Sequence, residues 1–307
     1  MRPVGLIAAL LAMCAALSGC GLGAGDTPSN VALTVTDGFG ARVITQTATP
    51  KIVGDETVMQ LLMRNATVST RYGGGFVESI NGVSGDDTGS HPIDWFYYVN
   101  GVEAPKGAAA TTLNQGDRVW WDRHDWSATE DVPAVVGSYP APFVGGIGGK
   151  RYPVTELCVT PSSDACKVVN AQLSAQGVPV ALGTLGTDEP QTLRVLVGPW
   201  SALRIDPAAV YLQQGPRQSG VYATFPASGN ALSLLNPEGQ VVQTASGSAG
   251  LVAADAIPME VPTWLVTGTD AAGVDAAAHA FNAATLRNRF AVAVVGGQPI
   301  PVPVGAS

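Results

Sequence analysis

Few side chains in this sequence are suited to acid–base or metal chemistry. There are three histidines, His91, His124 and His279, and the densest polar cluster is the run Asp-Arg-His-Asp at residues 122–125. One imidazole and two carboxylates are a sufficient donor set for a metal ion. Neighbouring side chains of a strand point to opposite faces, however, so these donors should diverge. We interpret the run as a solvated strand end, and His279 as a packed or surface residue of an alanine-rich helix.

Nucleophilic catalysis has no recognisable signature either. No Gly-x-Ser-x-Gly motif occurs, and Ser219 is the nearest candidate nucleophile. Residues 267–270, Thr-Gly-Thr-Asp, fall between a strand and a helix, where backbone N–H groups can hold an anion, but helix capping by Asp270 explains the same residues. The acidic loop at residues 84–87 lacks the spacing of an EF-hand. The sequence therefore predicts no catalytic residues, no metal ligands and no cofactor, in a protein that is not an enzyme.

The N-terminus has the pattern of an export signal. Arg2 precedes an apolar run over residues 4–13 and then small residues. The apolar run is shorter than the roughly 20 residues that cross a bilayer, and no comparable run follows. Residues 17–20, Leu-Ser-Gly-Cys, resemble the lipobox of bacterial lipoproteins. The resemblance implies a signal peptide over residues 1–19, lipidation of Cys20, and a lipid anchor in the cell membrane on its extracytoplasmic face; an ordinary secretory signal is the alternative.

Cysteine usage agrees with export. Of four cysteines, Cys14 lies in the signal and Cys20 carries the predicted lipid, which leaves Cys158 and Cys166. An isolated pair in an exported chain predicts a disulfide, here closing a short loop. A redox-active pair is the alternative, although it favours the tighter Cys-x-x-Cys spacing.

Composition limits the partners and the number of domains. The formal charge is −8, and it becomes −9 when Arg2 leaves with the signal. An acidic chain without clustered Lys and Arg does not suit nucleic acid. The 288 residues after the signal are enough for two domains. We expect a flexible tether at residues 20–30, a first domain at 31–126, a Gly- and Pro-rich linker at 127–150 and a second domain at 151–307.

The first domain shows strand-like alternation with one helical window. A hairpin is expected around Asp37-Gly38-Phe39-Gly40, and a helix that starts after Thr57 and ends at Asn65. Four more strands give the order ββαββββ, which predicts a mixed sheet with one helix across it, as in a β-grasp. In the second domain, strands and helices alternate and end in a strand–helix–strand unit, which favours an α/β sheet. The linker either hangs free or packs on the first domain through Tyr139 and Phe143. The predicted fold class is therefore α+β, with a β-grasp-like domain before an α/β domain.

Four segments of the first domain carry a family resemblance. They are Glu56-Thr57-Val58-Met59-Gln60-Leu61-Leu62, Phe76-Val77-Glu78-Ser79-Ile80-Asn81-Gly82-Val83, Asp94-Trp95-Phe96-Tyr97-Tyr98-Val99-Asn100-Gly101 and Leu113-Asn114-Gln115-Gly116-Asp117-Arg118-Val119-Trp120-Trp121. Together they resemble the transcobalamin C-terminal-like domain, a β-grasp module that binds soluble ligands in bacterial surface proteins. The resemblance covers residues 31–126 and implies a small soluble ligand, with a corrinoid as one candidate. The residues that it assigns to ligand contact are Trp95, Tyr97, Tyr98, Asn100, Trp120 and Trp121.

Strand periodicity gives these aromatic residues a physical interpretation. Trp95 and Tyr97 lie on one face of their strand, and Phe96 and Tyr98 on the other. If one face is core, the other exposes an aromatic surface that fits planar or sugar-like ligands and protein partners. Cross-strand packing of the rings is the alternative. We thus expect a non-enzymatic, lipid-anchored ligand-binding protein; the alternatives are a surface module for an envelope protein or cell-wall glycan, and an enzyme in residues 151–307.

Overall fold

The computed structural model describes residues 27–86, 88–186 and 190–306. The predicted signal peptide, Cys20 and Asp87 lie outside these residues. In the described part of the chain, no helix combines the length and the hydropathy needed to cross a bilayer. The fold is mixed α+β, as the sequence predicts.

The first domain is built on a five-stranded mixed sheet in the order β2-β1-β8-β6-β7. Its elements are β1 (Ala32–Asp37), β2 (Arg42–Thr47), α1 (Val58–Asn65), β3 (Val68–Arg71), β4 (Phe76–Ile80), β5 (Val83–Ser84), β6 (Ile93–Val99), β7 (Val102–Glu103) and β8 (Arg118–Asp125). β1 runs parallel to β8, and the other pairs in this sheet are antiparallel. β3, β4 and β5 form a separate small sheet. The predicted order is confirmed, with the short strands β5 and β7 in addition.

Helix α1 forms because its sequence caps the backbone N–H groups at its N-terminus and places apolar residues along one face. Thr57 accepts a hydrogen bond from the backbone N–H of Gln60, and the Gln60 side chain accepts one from the backbone N–H of Thr57, which is a capping box. Val58, Leu61 and Leu62 are fully buried at helical spacing. They cover one face of the five-stranded sheet and close the first core.

The second domain is built on a seven-stranded sheet in the order β10-β9-β11-β16-β15-β17-β18. The elements after β8 are α2 (Ala141–Gly145), β9 (Val154–Cys158), α3 (Asp164–Ala175), β10 (Val180–Gly183), β11 (Leu193–Pro199), α4 (Trp200–Leu203), α5 (Pro207–Gln213), α6 (Pro216–Ser219), β12 (Ala223–Thr224), β13 (Leu232–Leu235), β14 (Val241–Ala245), β15 (Ala249–Asp255), β16 (Thr263–Gly268), α7 (Ala271–Ala280), α8 (Ala283–Leu286), β17 (Ala291–Val295) and β18 (Gln298–Val302). The first four strands of the sheet are parallel, and β15, β17 and β18 add antiparallel pairs. The predicted terminal strand–helix–strand unit is present as β16, α7 and β17. Strand β15, which the sequence prediction missed, lies between the two strands.

Both faces of the seven-stranded sheet are buried. On β11, Val195 and Val197 face the core that contains α3 and α7, whereas Leu196 faces the opposite core. This opposite core also contains residues of the small sheet β12-β13-β14 and of the first domain. The near-continuous apolar run of β11 follows from burial on both sides.

Residues 127–150 do not hang free. Tyr139 and Phe143 pack on the second domain, with ring centroids 4.9 Å between Tyr139 and Phe281 and 5.0 Å between Phe143 and Trp264. The expected alternative, packing on the first domain through these two rings, is therefore wrong. The same segment also touches the first domain, because the N–H of Val135 donates to the carbonyl of Gly101 over 2.8 Å. It is a connector held by both domains.

The two domains share an aromatic interface. Phe39, in the β1–β2 turn, lies 5.0 Å from Phe290 and 5.2 Å from Tyr222 by ring centroids, and both partners belong to the second domain. Phe290 also meets Tyr98 and Trp120 edge-on, at 5.6 and 5.4 Å. The backbones approach closely at Gly40, where a Cβ would stand 1.8 Å from the carbonyl oxygen of Asn288. The second domain therefore covers the face of the first sheet that lies opposite α1.

Candidate functional site at the interdomain cleft

Three of the six residues predicted to bind ligand belong to the core beneath α1. Trp95 and Trp121 are buried there, and Tyr97 packs against this core. The rings of Tyr97 and Trp121 stack across β6 and β8 with centroids 4.9 Å apart. The Tyr97 hydroxyl bonds the carbonyl of Lys106 and, over 2.9 Å, the hydroxyl of Thr111. These rings form cross-strand packing, the alternative that strand periodicity left open.

The other three predicted residues are buried on the opposite face. Tyr98 and Trp120 lie in the interdomain core, at 0% and 3% exposure. Asn100 is fully buried, donates to Asp117 and to the carbonyl of Gly146, and accepts from the N–H of Arg118. The expected exposed aromatic surface is therefore wrong for this sheet. The reason is physical: the second domain covers the face that would have been exposed.

The run at residues 122–125 is not a solvated strand end, contrary to the sequence-based interpretation. Asp122 is fully buried and His124 is 2% exposed. Asp122 accepts hydrogen bonds from the Thr36 hydroxyl, from the N–H groups of Phe39 and Gly40, and from His124 Nδ1 at 3.0 Å. Both residues lie on the interdomain face of β8, because they are two apart along the strand. The i, i+2 spacing of Asp122 and His124 was the sequence signal that could have placed both side chains on one face.

The His124 ring is tightly enclosed. It stacks on Phe96 at a centroid distance of 4.4 Å, lies 4.6 Å from Phe39, and meets Phe290 edge-on at 5.2 Å. A carboxylate only accepts hydrogen bonds, so Nδ1 must carry the proton toward Asp122. In the neutral imidazole, Nε2 is then left with a lone pair. Within the described chain this buried nitrogen has no hydrogen-bond partner.

His124 lines a cleft between the domains, which we call the interdomain cleft. Its volume is about 510 Å³. The first domain contributes Asp37, Gly38, Phe39, Ile93, Arg123, His124 and Asp125; the second contributes Asn236, Pro237, Glu238, Val242, Val304, Gly305 and Ala306. Other clefts are larger, such as one of about 610 Å³ beside Arg118 and Arg151. We therefore choose this cleft as the candidate site not by its volume but because it combines an unpaired buried imidazole with carboxylates.

Beside the interdomain cleft, His91 approaches two of the carboxylates that line it, Asp125 of the first domain and Glu238 of the second. Its Nδ1 lies 3.1 Å from Asp125 Oδ2 and 3.8 Å from Glu238 Oε1. Asp125 is fixed on its other side, where Oδ1 accepts from the N–H of Ser127 over 2.7 Å. The nearby Arg123 is engaged elsewhere, with Asp37 at 2.8 Å. The sequence analysis did not connect these residues, because Glu238 joins them only through the domain interface.

The predicted disulfide is present between Cys158, at the end of β9, and Cys166, in the first turn of α3. Beside it, Glu156 is fully buried and accepts from Asn170 Nδ2 at 2.9 Å. Burial raises the pKa of the Glu156 carboxyl to about 7, against the opposing effect of that hydrogen bond. Because both sulfurs are in the disulfide, this group is not a thiolate metal site.

The remaining candidate residues have structural roles. The hydroxyl of Ser219 donates to the carbonyl of Gly215 and accepts from the N–H of Val221, which fixes a turn. Asp270 caps α7 by accepting from the N–H of Gly273, as predicted, and hydrogen bonds to Ser248 and Gly273 lower the pKa of its carboxyl. His279 lies on the surface of α7, bonded to the carbonyl of Asp275.

Comparison with known protein families finds a match for only part of the chain. Residues 55–125 match a family described as a domain of unknown function, DUF4430. No curated protein matches the chain. Five solved chains match, among them the crystal structure of "a putative metal binding protein from Ruminococcus gnavus ATCC 29149", with 16% identity and a TM-score of 0.25, covering 32% of this chain and 97% of that one. The family description names no function, and a fold similarity of this size supports none.

Proposed function

We propose that this chain is a non-enzymatic, lipid-anchored extracytoplasmic protein that binds a small soluble ligand in the interdomain cleft. The observation that carries the proposal is His124, whose buried Nε2 lacks a partner in the described structure while its ring lines the cleft. An unpaired polar atom in a buried site costs about 1–3 kcal/mol, and a ligand that donates a hydrogen bond would offset that cost. A ligand that donates a hydrogen bond to this nitrogen would therefore be bound more favourably than one that does not.

The polar groups of the cleft define the class of ligand. In the neutral tautomer that donates to Asp122, His124 Nε2 offers a lone pair, and Asp125 and Glu238 offer carboxylate oxygens. Asp37 is neutralised by Arg42 at 2.6 Å and Arg123 at 2.8 Å. The remaining cleft is thus rich in acceptors, which favours a cationic solute or one with several N–H or O–H donors. A corrinoid, which the transcobalamin-like resemblance suggests, would have to bind in this cleft rather than on the buried aromatic strands.

Native mass spectrometry of the soluble chain, residues 26–307, tests the proposal. This form contains every described element; it can be incubated with an envelope extract of the native host and repurified, or titrated with cobalamin and with cationic metabolites. We expect a retained or titratable adduct that His124→Gln weakens at least tenfold and that His279→Gln, a matched change of a surface histidine, leaves unchanged. A bare mass throughout, or equal binding by both variants, would refute the assignment.

The membrane anchor is a separate part of the proposal. Lipidation of Cys20 predicts that the chain partitions with membranes and that its mature N-terminal peptide carries acyl chains. Because the lipobox resemblance implies that the signal is cut only after lipidation, Cys20→Ser is expressed behind an ordinary cleavable secretory signal, where it should move the protein to the soluble fraction without changing its fold. If that variant stays membrane-bound after its signal is removed, or if the wild-type N-terminal peptide carries no lipid, the anchor is wrong.

One observation favours the alternative, a surface module for a glycan or an envelope protein. Tyr72 and Phe76, on the β3–β4 hairpin, form an edge-on pair with centroids 6.1 Å apart, and Tyr72 is 86% exposed. Exposed aromatic rings with polar tips suit sugars and protein partners. Binding of peptidoglycan fragments that is lost in Tyr72→Ala, and not in His124→Gln, would support this function instead.

A further inference from the structure

We propose that His91, Asp125 and Glu238 form a three-ligand site for a divalent transition-metal ion, of the Zn²⁺ class, in the interdomain cleft. The inference rests on the proposed function in that it names a component of the same site. His91, just before β6, and Asp125, the last residue of β8, lie at the same end of this strand pair in the first domain, and Glu238 comes from the turn between β13 and β14 in the second. The ion would therefore join the two domains.

The distances between the donor atoms fit tetrahedral coordination. With metal–ligand bonds of about 2.1 Å, tetrahedral geometry separates two ligand atoms by about 3.4 Å. His91 Nδ1 lies 3.1 Å from the Asp125 oxygen and 3.8 Å from the Glu238 oxygen, which bracket this separation. All three donor atoms lie within 4.8 Å of one another. The third separation, between the Asp125 and Glu238 oxygens, exceeds the tetrahedral value by at most about 1.4 Å, a difference that rotation of the partly exposed His91 and Glu238 side chains can close.

The charges and donor types select the kind of ion. Two carboxylates and one imidazole suit a dication, and Arg123, which lines the same cleft, is bonded to Asp37 and to the carbonyl of Ser84. Imidazole nitrogen favours zinc and its neighbours, whereas Ca²⁺ and Mg²⁺ prefer oxygen ligands alone. The hydrogen bond from the Ser127 N–H holds the Asp125 carboxylate so that its other oxygen faces His91, the support that metal ligands commonly have.

An independent feature of the cleft also points to an occupant. His124 lines the same cleft, is 2% exposed, and has a buried Nε2 without a partner in the described residues. A three-ligand site leaves the fourth position of the ion to water or to a bound solute. An ion pair between His91 and Asp125 alone explains neither that nitrogen nor the approach of Glu238.

Metal titration of the chelator-treated soluble chain, residues 26–307, tests the site. Isothermal titration with Zn²⁺, and visible absorption with Co²⁺ as a spectroscopic probe, should give one ion per chain. His91→Ala and Glu238→Gln should each weaken binding at least tenfold; both side chains are partly exposed, so both variants should fold. His279→Ala is the matched control, since His279 also faces a carboxylate, Asp275, at 3.7 Å but without a third ligand. It should leave Zn²⁺ binding unchanged.

The outcomes separate this inference from the proposed function. Saturable one-to-one binding that depends on His91 and Glu238 supports the metal site, even if native mass spectrometry finds no organic ligand. Absence of saturable binding up to millimolar Zn²⁺, or equal affinity in His91→Ala and the wild type, overturns it. If the metal-free protein still retains a solute that depends on His124, the metal site fails while the proposed function stands.

Discussion

Phe39→Ala tests whether the two domains are held together as the structure indicates. Phe39 lies in the β1–β2 turn of the first domain and is 5% exposed. Two of its three ring partners, Tyr222 and Phe290, belong to the second domain, and the third is His124. Its burial therefore exists only when the domains are docked. The same ring forms part of the wall of the interdomain cleft.

The expected loss follows from the size of the buried ring. Truncating a buried phenylalanine to alanine typically costs 3–5 kcal/mol, through lost transfer free energy and the cavity left behind. The backbone of Phe39 is left-handed, with φ at 56°, in both the wild type and the alanine variant, so strain does not change. We expect Phe39→Ala to lower the free energy of unfolding by about 3–4 kcal/mol. Phe39→Gly relieves the positive φ and should recover part of the loss.

Urea denaturation of the soluble chain, followed by tryptophan fluorescence, measures this free energy. Phe76→Ala is the control, because Phe76 is 37% exposed on the β3–β4 hairpin and touches only Tyr72 among the described rings. The control should cost less than about 1 kcal/mol. A Phe39→Ala loss as small as that of the control would refute a docked interface, and with it the cleft in which both proposed sites lie.

Three further changes test buried groups elsewhere. The Glu156 carboxyl has a pKa of about 7 in the folded protein and near 4.5 in the unfolded chain, so the folded state binds its proton more tightly. Its contribution to the free energy of unfolding is therefore full below about pH 4.5 and is lost, by up to about 3 kcal/mol, as the pH rises through 7. Glu156→Gln should flatten the change in urea midpoint between pH 5 and 8, whereas Glu130→Gln, a change of an exposed carboxylate, should not. Asp255 is buried, and both of its carboxylate oxygens lack partners in the described chain. Burial raises the pKa of this carboxyl well above its usual range, so its charged form destabilises the fold. Asp255→Asn should therefore raise the urea midpoint at pH 8, and a lower midpoint would contradict this. Replacing Cys158 and Cys166 by serine opens a cross-link of separation 8 and should cost about 2.5 kcal/mol, so an unchanged melting temperature in the double variant would be inconsistent with a stabilising role.

Local signals in the sequence predicted much of the fold. The Thr57 cap with Gln60 three residues later defined the start of α1, and the spacing of Val58, Leu61 and Leu62 defined its buried face. The cysteine pair predicted the disulfide because Cys14 and Cys20 were assigned to the expected signal peptide and lipid, which left Cys158 and Cys166 as partners for each other. Strand β15 was missed because residues 249–254 are all small or apolar and show no alternation; both faces of the strand are buried, so no polar side chain marks one of them before Asp255 at its end.

The candidate site could not be predicted in the same way, because the second domain determines which side chains of the first are exposed. The i, i+2 spacing of Trp120, Asp122 and His124 places them on one face of β8, which the sequence-based interpretation did not use, and this spacing contains no information about what covers that face. An aromatic face and a polar strand end look solvated when a domain is considered alone. Docking buries Tyr98 and Trp120, and it brings Glu238 of the second domain to His91 of the first.

This dependence on docking also has a thermodynamic consequence. A ligand or ion bound between the domains stabilises only the docked state, so occupancy should raise the free energy of unfolding by RT ln(1 + [L]/Kd), about 2.7 kcal/mol at a hundredfold excess over Kd. Phe39→Ala weakens docking without removing His91, Asp125 or Glu238, and should therefore weaken Zn²⁺ binding as well. Conversely, Zn²⁺ should restore part of the stability lost in Phe39→Ala, because the two effects act on one equilibrium and are reciprocal.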